Sequence, residues 1–295
     1  GRGGRGRTGS EEKRPQAGSH PQRDDDADDD YDPMSDVKKG TYQRPAPDVN
    51  PEDWEDIYDK KTFADLGLRN SLLKSLDEAG YKYPTKIQAE LIPLVLGGKD
   101  VLGQSRTGTG KTAAFGLPLY NEAKRGIPFQ TLVLSPTREL AIQIAKEFEM
   151  LGQHTPIGVV PVYGGQKIPA QIEKLKNEPE IVVATPGRLM DLLERRALHL
   201  KNVRFAVLDE VDRMLDIGFR EDIRKILSRI KTDHQTVFVS ATISEEIETL
   251  AGKFMHEPEK LVMTSGSLTV QMVDQSYIPV ERWDKKRLLV RMLKD

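Results

Sequence analysis

From about Thr62 to Thr264, short apolar runs rich in β-branched residues alternate with longer amphipathic stretches. Seven runs read as strands: "DVLGQ" (100–104), "TLVLSP" (131–136), "GVVPVYGG" (158–165), "EIVVATP" (180–186), "VRFAVLDE" (203–210), "QTVFVSAT" (235–242) and "KLVMTS" (260–265). Several are apolar at consecutive positions, as strands buried on both faces are. Between them, apolar positions three and four apart predict helices over 68–79, 85–96, 111–124, 137–151, 168–176, 187–195, 219–230 and 244–254. Regular alternation of this kind predicts an α/β fold, a mostly parallel sheet with helices on both faces. No internal repeat is visible.

The flanks differ. Residues 1–58 lack hydrophobic periodicity: "GRGGRGR" opens the chain, "DDDADDDYD" fills 24–32, and the Pro-bearing "YQRPAPDVNPEDW" follows. Such composition predicts a disordered tail. Arg2, Arg5 and Arg7 among glycines suit either flexible RNA contacts or simple solubilisation. The acidic run reads as solvated chain, or as a competitor for a basic RNA-binding surface. After "GSLTV", residues 271–280 look like a strand and "DKKRLLVRMLKD" like a helix. The expected organisation is a tail over 1–58, a folded domain over 59–265, and a linker with the first strand and helix of a further, cut-off domain over 266–295. A first residue of Gly1 rather than Met suggests a start further upstream.

Composition narrows the classes only a little. Forty-four Lys and Arg against 46 Asp and Glu leave a net charge of −2, so nucleic-acid binding would need a local basic patch. The chain has no Cys, which excludes disulfides, thiolate nucleophiles and Cys-ligated zinc and fits a reducing, cytoplasmic setting. No apolar run reaches the length of a membrane span, and the first thirty residues hold no signal-peptide core.

Two stretches carry candidate chemistry. Strand 100–104 runs into "SRTGTGKTAAF" (105–115) and then a helix. Gly110, Lys111 and Thr112 fit the end of a phosphate loop, and Gly108 permits close backbone approach. Ser105 stands where that motif has its first glycine. Amide N–H groups and the helix N-terminus would face phosphates, Lys111 would supply charge to the β and γ groups, and the Thr112 hydroxyl would reach Mg²⁺. The second stretch, "AVLDEVDRML" (206–215), turns from apolar to acidic within one strand. Alone, "DEVD" is also compatible with a helix start, a solvated loop or a caspase-type cleavage site. If strands 100–104 and 203–210 lie side by side, Asp209 would meet Lys111 and Thr112 and hold Mg²⁺, through water. Glu210 would then orient and deprotonate an attacking water, with Asp212 and Arg213 as couplers.

In family order, these and further motifs resemble the DEAD-box RNA helicases of superfamily 2. "GYKYPTKIQ" (80–88), with Phe63 seventeen residues before Gly80, is similar to the Q motif. This resemblance implies that Phe63, Tyr81, Thr85 and Gln88 help bind ATP, Gln88 reading the adenine edge and Phe63 packing on the base. Motif I implies phosphate contacts from Ser105, Arg106, Thr107, Gly108, Thr109, Gly110, Lys111 and Thr112. "PTREL", the glycine doublet and "TPGR" resemble motifs that line an RNA-backbone groove. They assign Pro136, Thr137, Arg138, Glu139, Gly164, Gly165, Thr185, Pro186, Gly187 and Arg188 to RNA. "DEVD" resembles motif II with Val211 in place of the usual Ala, and "SAT", Ser240, Ala241 and Thr242, resembles motif III, which couples nucleotide state to RNA.

The resemblance implies a RecA-like lobe with ATP and Mg²⁺ as cofactors and RNA as partner, probed with little sequence preference, and a monomer. It further implies a second lobe outside this sequence, carrying arginine fingers. These expectations predict weak ATP binding and very little hydrolysis by the segment alone, since an arginine finger contributes about 10³ to 10⁵ in rate. An ATP-gated RNA clamp and a P-loop DNA translocase are the competing readings.

Overall fold

A computed structural model describes residues 57–106, 108–263, 278–281 and 283–293. Seven strands form one sheet: β1 Val101–Gln104, β2 Thr131–Leu134, β3 Val159–Val162, β4 Ile181–Ala184, β5 Phe205–Asp209, β6 Gln235–Ser240 and β7 Glu259–Val262. Their order is β3-β4-β2-β5-β6-β1-β7, and every neighbouring pair is parallel. Among the described residues ten α-helices accompany them: α1 Asn70–Glu78, α2 Lys86–Leu96, α3 Lys111–Glu122, α4 Arg138–Leu151, α5 Ile168–Leu175, α6 Pro186–Glu194, α7 Val211–Ile217, α8 Arg220–Arg229, α9 Glu245–Phe254 and α10 Lys285–Met292.

Alternation along the strands sends successive side chains to opposite faces, and the two faces have separate cores. Val101, Val133, Val183, Val207 and Val237 meet α1 to α4, where Leu72, Leu91, Phe115, Ile144 and Phe148 are buried. Leu102, Leu132, Val182, Ala206, Leu208 and Phe238 meet the opposite layer, built from α6 to α9 by Leu189, Met214, Ile223, Ile226, Ile247 and Leu250. This is the α/β arrangement expected, with helices on both faces. Close packing within the first layer depends on two glycines. A Cβ at Gly116 would lie 2.6 Å from the Phe148 ring, and one at Gly152 would lie 2.4 Å from the ring of fully buried Tyr120.

Several expectations need correction. β5 and β1 are not adjacent, because β6 pairs with both. The predicted strands overran at their carboxyl ends; Ser135 and Thr185 extend the ladder by one bond each, to Ala184 O and Val162 O, before the chain turns. A 3₁₀ turn at Phe63–Leu66 and the seven-residue α7 were not predicted, both being too short to show a period. The tail over 1–56 and most of the strand expected over 271–280 lie outside the described residues, and 278–280 are not in a strand. The expected final helix is α10. No described helix is long and apolar enough to cross a membrane.

Candidate functional site

All seven strands point the same way, so the loops leaving their carboxyl ends share one edge of the sheet. In open α/β sheets that edge is where ligands bind. The sequence-predicted residues divide between its two halves.

One half belongs to β1, β6 and β5. Leaving β1, Ser105 begins a loop that reaches α3 through Gly108 and Gly110, whose φ values of +82° and +89° are left-handed and favour glycine. Gly110 also admits the Gln88 side chain: a Cβ there would lie 2.5 Å from Gln88 Nε2. The loop is tied internally. Lys111, buried at the start of α3, donates from Nζ to Ser105 O at 3.1 Å, the Ser105 and Thr109 hydroxyls are 2.8 Å apart, and Thr109 donates to Arg106 O. Arg106 and Gly108 are exposed and Thr112 is half-buried, whereas Thr107 lies outside the described residues.

The Q-like segment closes over this loop from α2. Gln88 is fully buried, accepting from Thr85 N at 2.9 Å and donating to Gly110 O at 3.1 Å. Its amide thus joins the helix start to the phosphate loop, and one N–H and one lone pair remain for any further partner. The Thr85 hydroxyl is buried without a hydrogen-bond partner. Phe63 is also buried, meeting Tyr81 edge to face at 6.1 Å, and the Tyr81 hydroxyl donates to Glu147.

Opposite stand the acids. Asp209, the last residue of β5, is 3 % exposed, and burial pushes its carboxyl up to about 6; Lys111 opposes that shift and Glu210 adds to it. The charge of Lys111 therefore reaches Asp209 across β6, even though their strands do not touch. Glu210 sits at the elbow between β5 and α7 with φ and ψ both 54°, a left-handed conformation rare for a residue with a Cβ. Its side chain is turned to Arg213 at 3.3 Å. Val211 fills the core with no exposed surface, and Asp209 is equally inaccessible, so "DEVD" is not an open protease site.

Asp212 is the hub of a second network. Its Oδ2 accepts from both the amide and the hydroxyl of Thr242, each at 2.9 Å, and its own amide donates to Ser240 Oγ at 3.2 Å. Burial raises this carboxyl, but the bonds from Thr242, Ser240 and Arg213 outweigh it and hold it below the usual carboxylate range. Ser240 is buried at the end of β6, with Ala241 and Thr242 exposed beyond it. The same segment meets the phosphate loop: Ser105 N donates to Ser240 O at 2.9 Å, and Gln104 Nε2 donates to Ala241 O at 3.1 Å. Gln104 was not singled out in the sequence; a polar amide ending an otherwise apolar buried strand was the available signal.

The other half of the edge belongs to β2, β4 and β3, three neighbouring strands. Thr137, after buried Pro136, caps α4 by accepting from Leu140 N; Arg138 and Glu139 are exposed and paired with each other. A Cβ at Gly165 would lie 3.2 Å from the Arg138 guanidinium, which joins "PTREL" to the glycine doublet. Thr185 precedes α6, whose first residues are buried Pro186 and exposed Gly187. Arg188 Nη1 donates to Gln166 O at 2.9 Å, and burial lowers its pKa. Exposed glycine amides, two helix N-termini and two guanidinium groups make this half chemically suited to phosphates.

Comparison with known proteins agrees with this arrangement. The sequence model of the DEAD/DEAH box helicase family matches residues 85–250. A protein of Bacillus cereus named DEAD-box ATP-dependent RNA helicase CshA is 46% identical over 235 residues, covering 79% of this chain and 44% of its own length. The Bacillus subtilis protein of the same name is 46% identical over 233 residues, covering 79% of this chain and 47% of its length. This chain thus spans about half the length of the curated relatives it matches. The crystal structure of a DEAD box protein from Methanococcus jannaschii aligns with a TM-score of 0.67 and 38% identity, over 79% of this chain and 63% of that one. By profile, by sequence and by fold, the chain belongs to the DEAD/DEAH box helicase family.

Proposed function

We propose that this chain supplies the ATP-binding lobe of an RNA-dependent ATPase that couples ATP binding and hydrolysis to local opening of RNA duplexes or to remodelling of RNA–protein complexes. The carrying observation is the single sheet edge that brings Lys111 close enough for its charge to act on Asp209, with Glu210 next in the chain and Asp212 bonded to Thr242. Phosphate-suited side chains and glycine amides occupy the other half of that edge.

The residues present fit a nucleotide. The orphaned, buried Thr85 hydroxyl, the open backbone at Gly108 and the Gln88 amide packed against Gly110 form a cradle. Lys111 offers its ammonium to the β and γ phosphates, with two N–H groups left beyond the bond to Ser105 O. Gln88 offers its remaining N–H and lone pair to the adenine edge, and Phe63, in edge contact with Tyr81, packs against the base. Among the described residues no three His, Asp or Glu gather as a metal site. Mg²⁺ keeps several waters and binds through one or two protein groups plus substrate phosphates. Thr112 and Asp209 are the groups that would hold it, and when bound it would neutralise charge developing on the phosphates. Glu210 orients the attacking water and takes its proton. Arg138, Arg188 and the amides of Gly164, Gly165 and Gly187 hold the RNA backbone, which gives little sequence preference. Asp212 passes the nucleotide state to Ser240 and Thr242. We further infer a monomer acting inside the cell.

The test uses the full-length protein. Lys111→Ala and Glu210→Gln are each expected to abolish RNA-stimulated ATP hydrolysis and duplex opening, with losses on the order of 10² to 10³ or more. Retained ATP-driven opening in either variant ends this reading. Stimulation by DNA equal to that by RNA would point instead to a DNA translocase.

A further inference from the structure

We propose that Gln104 is a positioning residue of this cycle: by donating to Ala241 O it holds the Ser240–Thr242 loop in register with the phosphate loop, and so sets how much RNA opening each hydrolysed ATP produces. The inference rests on the helicase reading and adds a residue to it.

Gln104 stands at a junction of three segments. It is the last residue of β1, directly before Ser105. Its carbonyl accepts from Met263 N at 3.0 Å, just past β7, and its side chain donates to Ala241 O at 3.1 Å, just past β6. The adjoining peptide repeats the connection, since Ser105 N donates to Ser240 O at 2.9 Å. From the opposite side, Asp212 receives both bonds from Thr242 and donates to Ser240 Oγ. The Ser240–Thr242 segment, buried at Ser240 and exposed beyond it, is therefore gripped between two jaws. One belongs to the acids at the end of β5, and the other to the root of the phosphate loop.

The two jaws differ in kind. The Asp212 jaw is threefold, with two of its bonds accepted by the carboxylate, whereas the other consists of backbone pairing and the Gln104 amide alone. The preceding strand residues, Val101, Leu102 and Gly103, are buried, so an apolar or β-branched residue would suit strand packing at position 104 at least as well. What glutamine adds is the one bond to Ala241. That bond ends on the loop beyond β6 and not on the cradle formed by Gly108, Gly110, Thr85 and Gln88. Its loss should loosen transmission and leave nucleotide binding intact. The parallel pairing Gln104↔Ser240 and Gln104↔Val262 uses backbone only and survives any substitution of the side chain.

The experiment compares the unsubstituted full-length protein with Gln104→Met and Gln104→Arg. Met keeps the side-chain length and removes the donor; Arg places an Nε–H donor the same number of bonds from the backbone. For Gln104→Met the KM for ATP and the melting temperature are expected to stay at the unsubstituted values. Duplex opened per ATP hydrolysed falls about three- to tenfold, the effect of one lost hydrogen bond. Gln104→Arg recovers most of that ratio. An unchanged ratio in Gln104→Met overturns the inference, as does a joint loss of ATP affinity and opening or a failure of Gln104→Arg to recover. Absence of RNA-stimulated hydrolysis in the unsubstituted protein is a separate result: it overturns the helicase reading, and this inference with it.

Discussion

The two edges of the sheet use their carboxylates and amides differently. At the amino edge Asp100, Glu180 and Gln130 are each multiply bonded to backbone, although the buried Thr131 hydroxyl at the start of β2 has no partner. Asp100 accepts from Thr236 N and His256 N, both at 2.7 Å, and Glu180 accepts from Gly126 N and Gly158 N at 2.9 and 2.7 Å. Gln130 accepts from Lys124 N and donates to Lys124 O and Ile127 O. Each of these side chains fastens a loop whose backbone would otherwise be unpaired. At the carboxyl edge, Asp209 is buried with one backbone donor, Thr85 keeps an orphaned hydroxyl, and Glu210 is held in a left-handed backbone. The same strands thus spend their polar residues on stability at one end and leave them poised for ligands at the other. Left-handed backbone marks both edges, since Phe129, Glu178 and Glu257 ahead of β2, β4 and β7 share it with Glu210; what sets the carboxyl edge apart is a buried carboxylate with a single backbone donor.

Exchanging the losses at the two edges is the strongest way to break this comparison. Asp100→Ala removes the acceptor of the buried Thr236 N–H and of the part-buried His256 N–H; an orphaned buried donor costs about 1–3 kcal/mol and the part-buried one less, so a destabilisation of about 2–4 kcal/mol is expected. Glu210→Gln, by contrast, is expected to leave chemical denaturation within about 0.5 kcal/mol of the unsubstituted protein, the range of changes away from packed features, while removing hydrolysis. Equal loss of stability in both variants would show that the edges do not differ in this way.

A smaller effect of opposite sign sharpens the contrast. The Asp209 carboxyl is pushed up to about 6 in the fold, well above its ordinary value of 3.8. The folded protein therefore binds that proton more tightly than the unfolded chain does. Stability from this group is complete below the unfolded pKa, falls as pH rises through the window between the two values, and is gone above about 6. Asp209→Asn avoids ionisation and keeps an oxygen for Glu210 N. In ligand-free protein above pH 7 it is expected to gain about 2–3 kcal/mol, at 1.36 kcal/mol per pKa unit, and little near pH 4. Thermal melts of both proteins at the two pH values check it. A gain independent of pH would mean that burial of the charge is not the cause.

Much of this was legible in the sequence because buried parallel strands declare themselves as unbroken apolar runs and the chemistry-bearing residues follow them directly. Val207, Leu208 and then Asp209 illustrate both signals within three residues. Strand order was less legible: nothing in the runs at 101–104, 205–209 and 235–240 records which two are neighbours, and β6 lies between the pair expected to touch. The strand ends were overestimated because Ser135 and Thr185 remain extended and hydrogen-bonded while the chain is already leaving the sheet. The internal role of Gln88, shared between Thr85 N and Gly110 O, and the bond from Gln104 to Ala241 depend on contacts across 22 and 137 positions, which local patterning does not encode.

The finest comparison lies within the carboxyl edge itself, at Glu210. A left-handed backbone costs a residue with a Cβ about 1–2 kcal/mol, and glycine adopts it freely. At an ordinary position glycine is less stable than alanine by about 0.4–1 kcal/mol, because its unfolded chain has more freedom to lose. At φ 54° the order should invert. Glu210→Ala and Glu210→Gly both remove the carboxylate and its contact with Arg213, so their difference isolates the backbone. Glu210→Gly is expected to be the more stable by about 0.5–1 kcal/mol in urea denaturation, the strain relieved less the entropy lost. Neither variant should hydrolyse ATP. If alanine is the more stable, the elbow after β5 carries no strain.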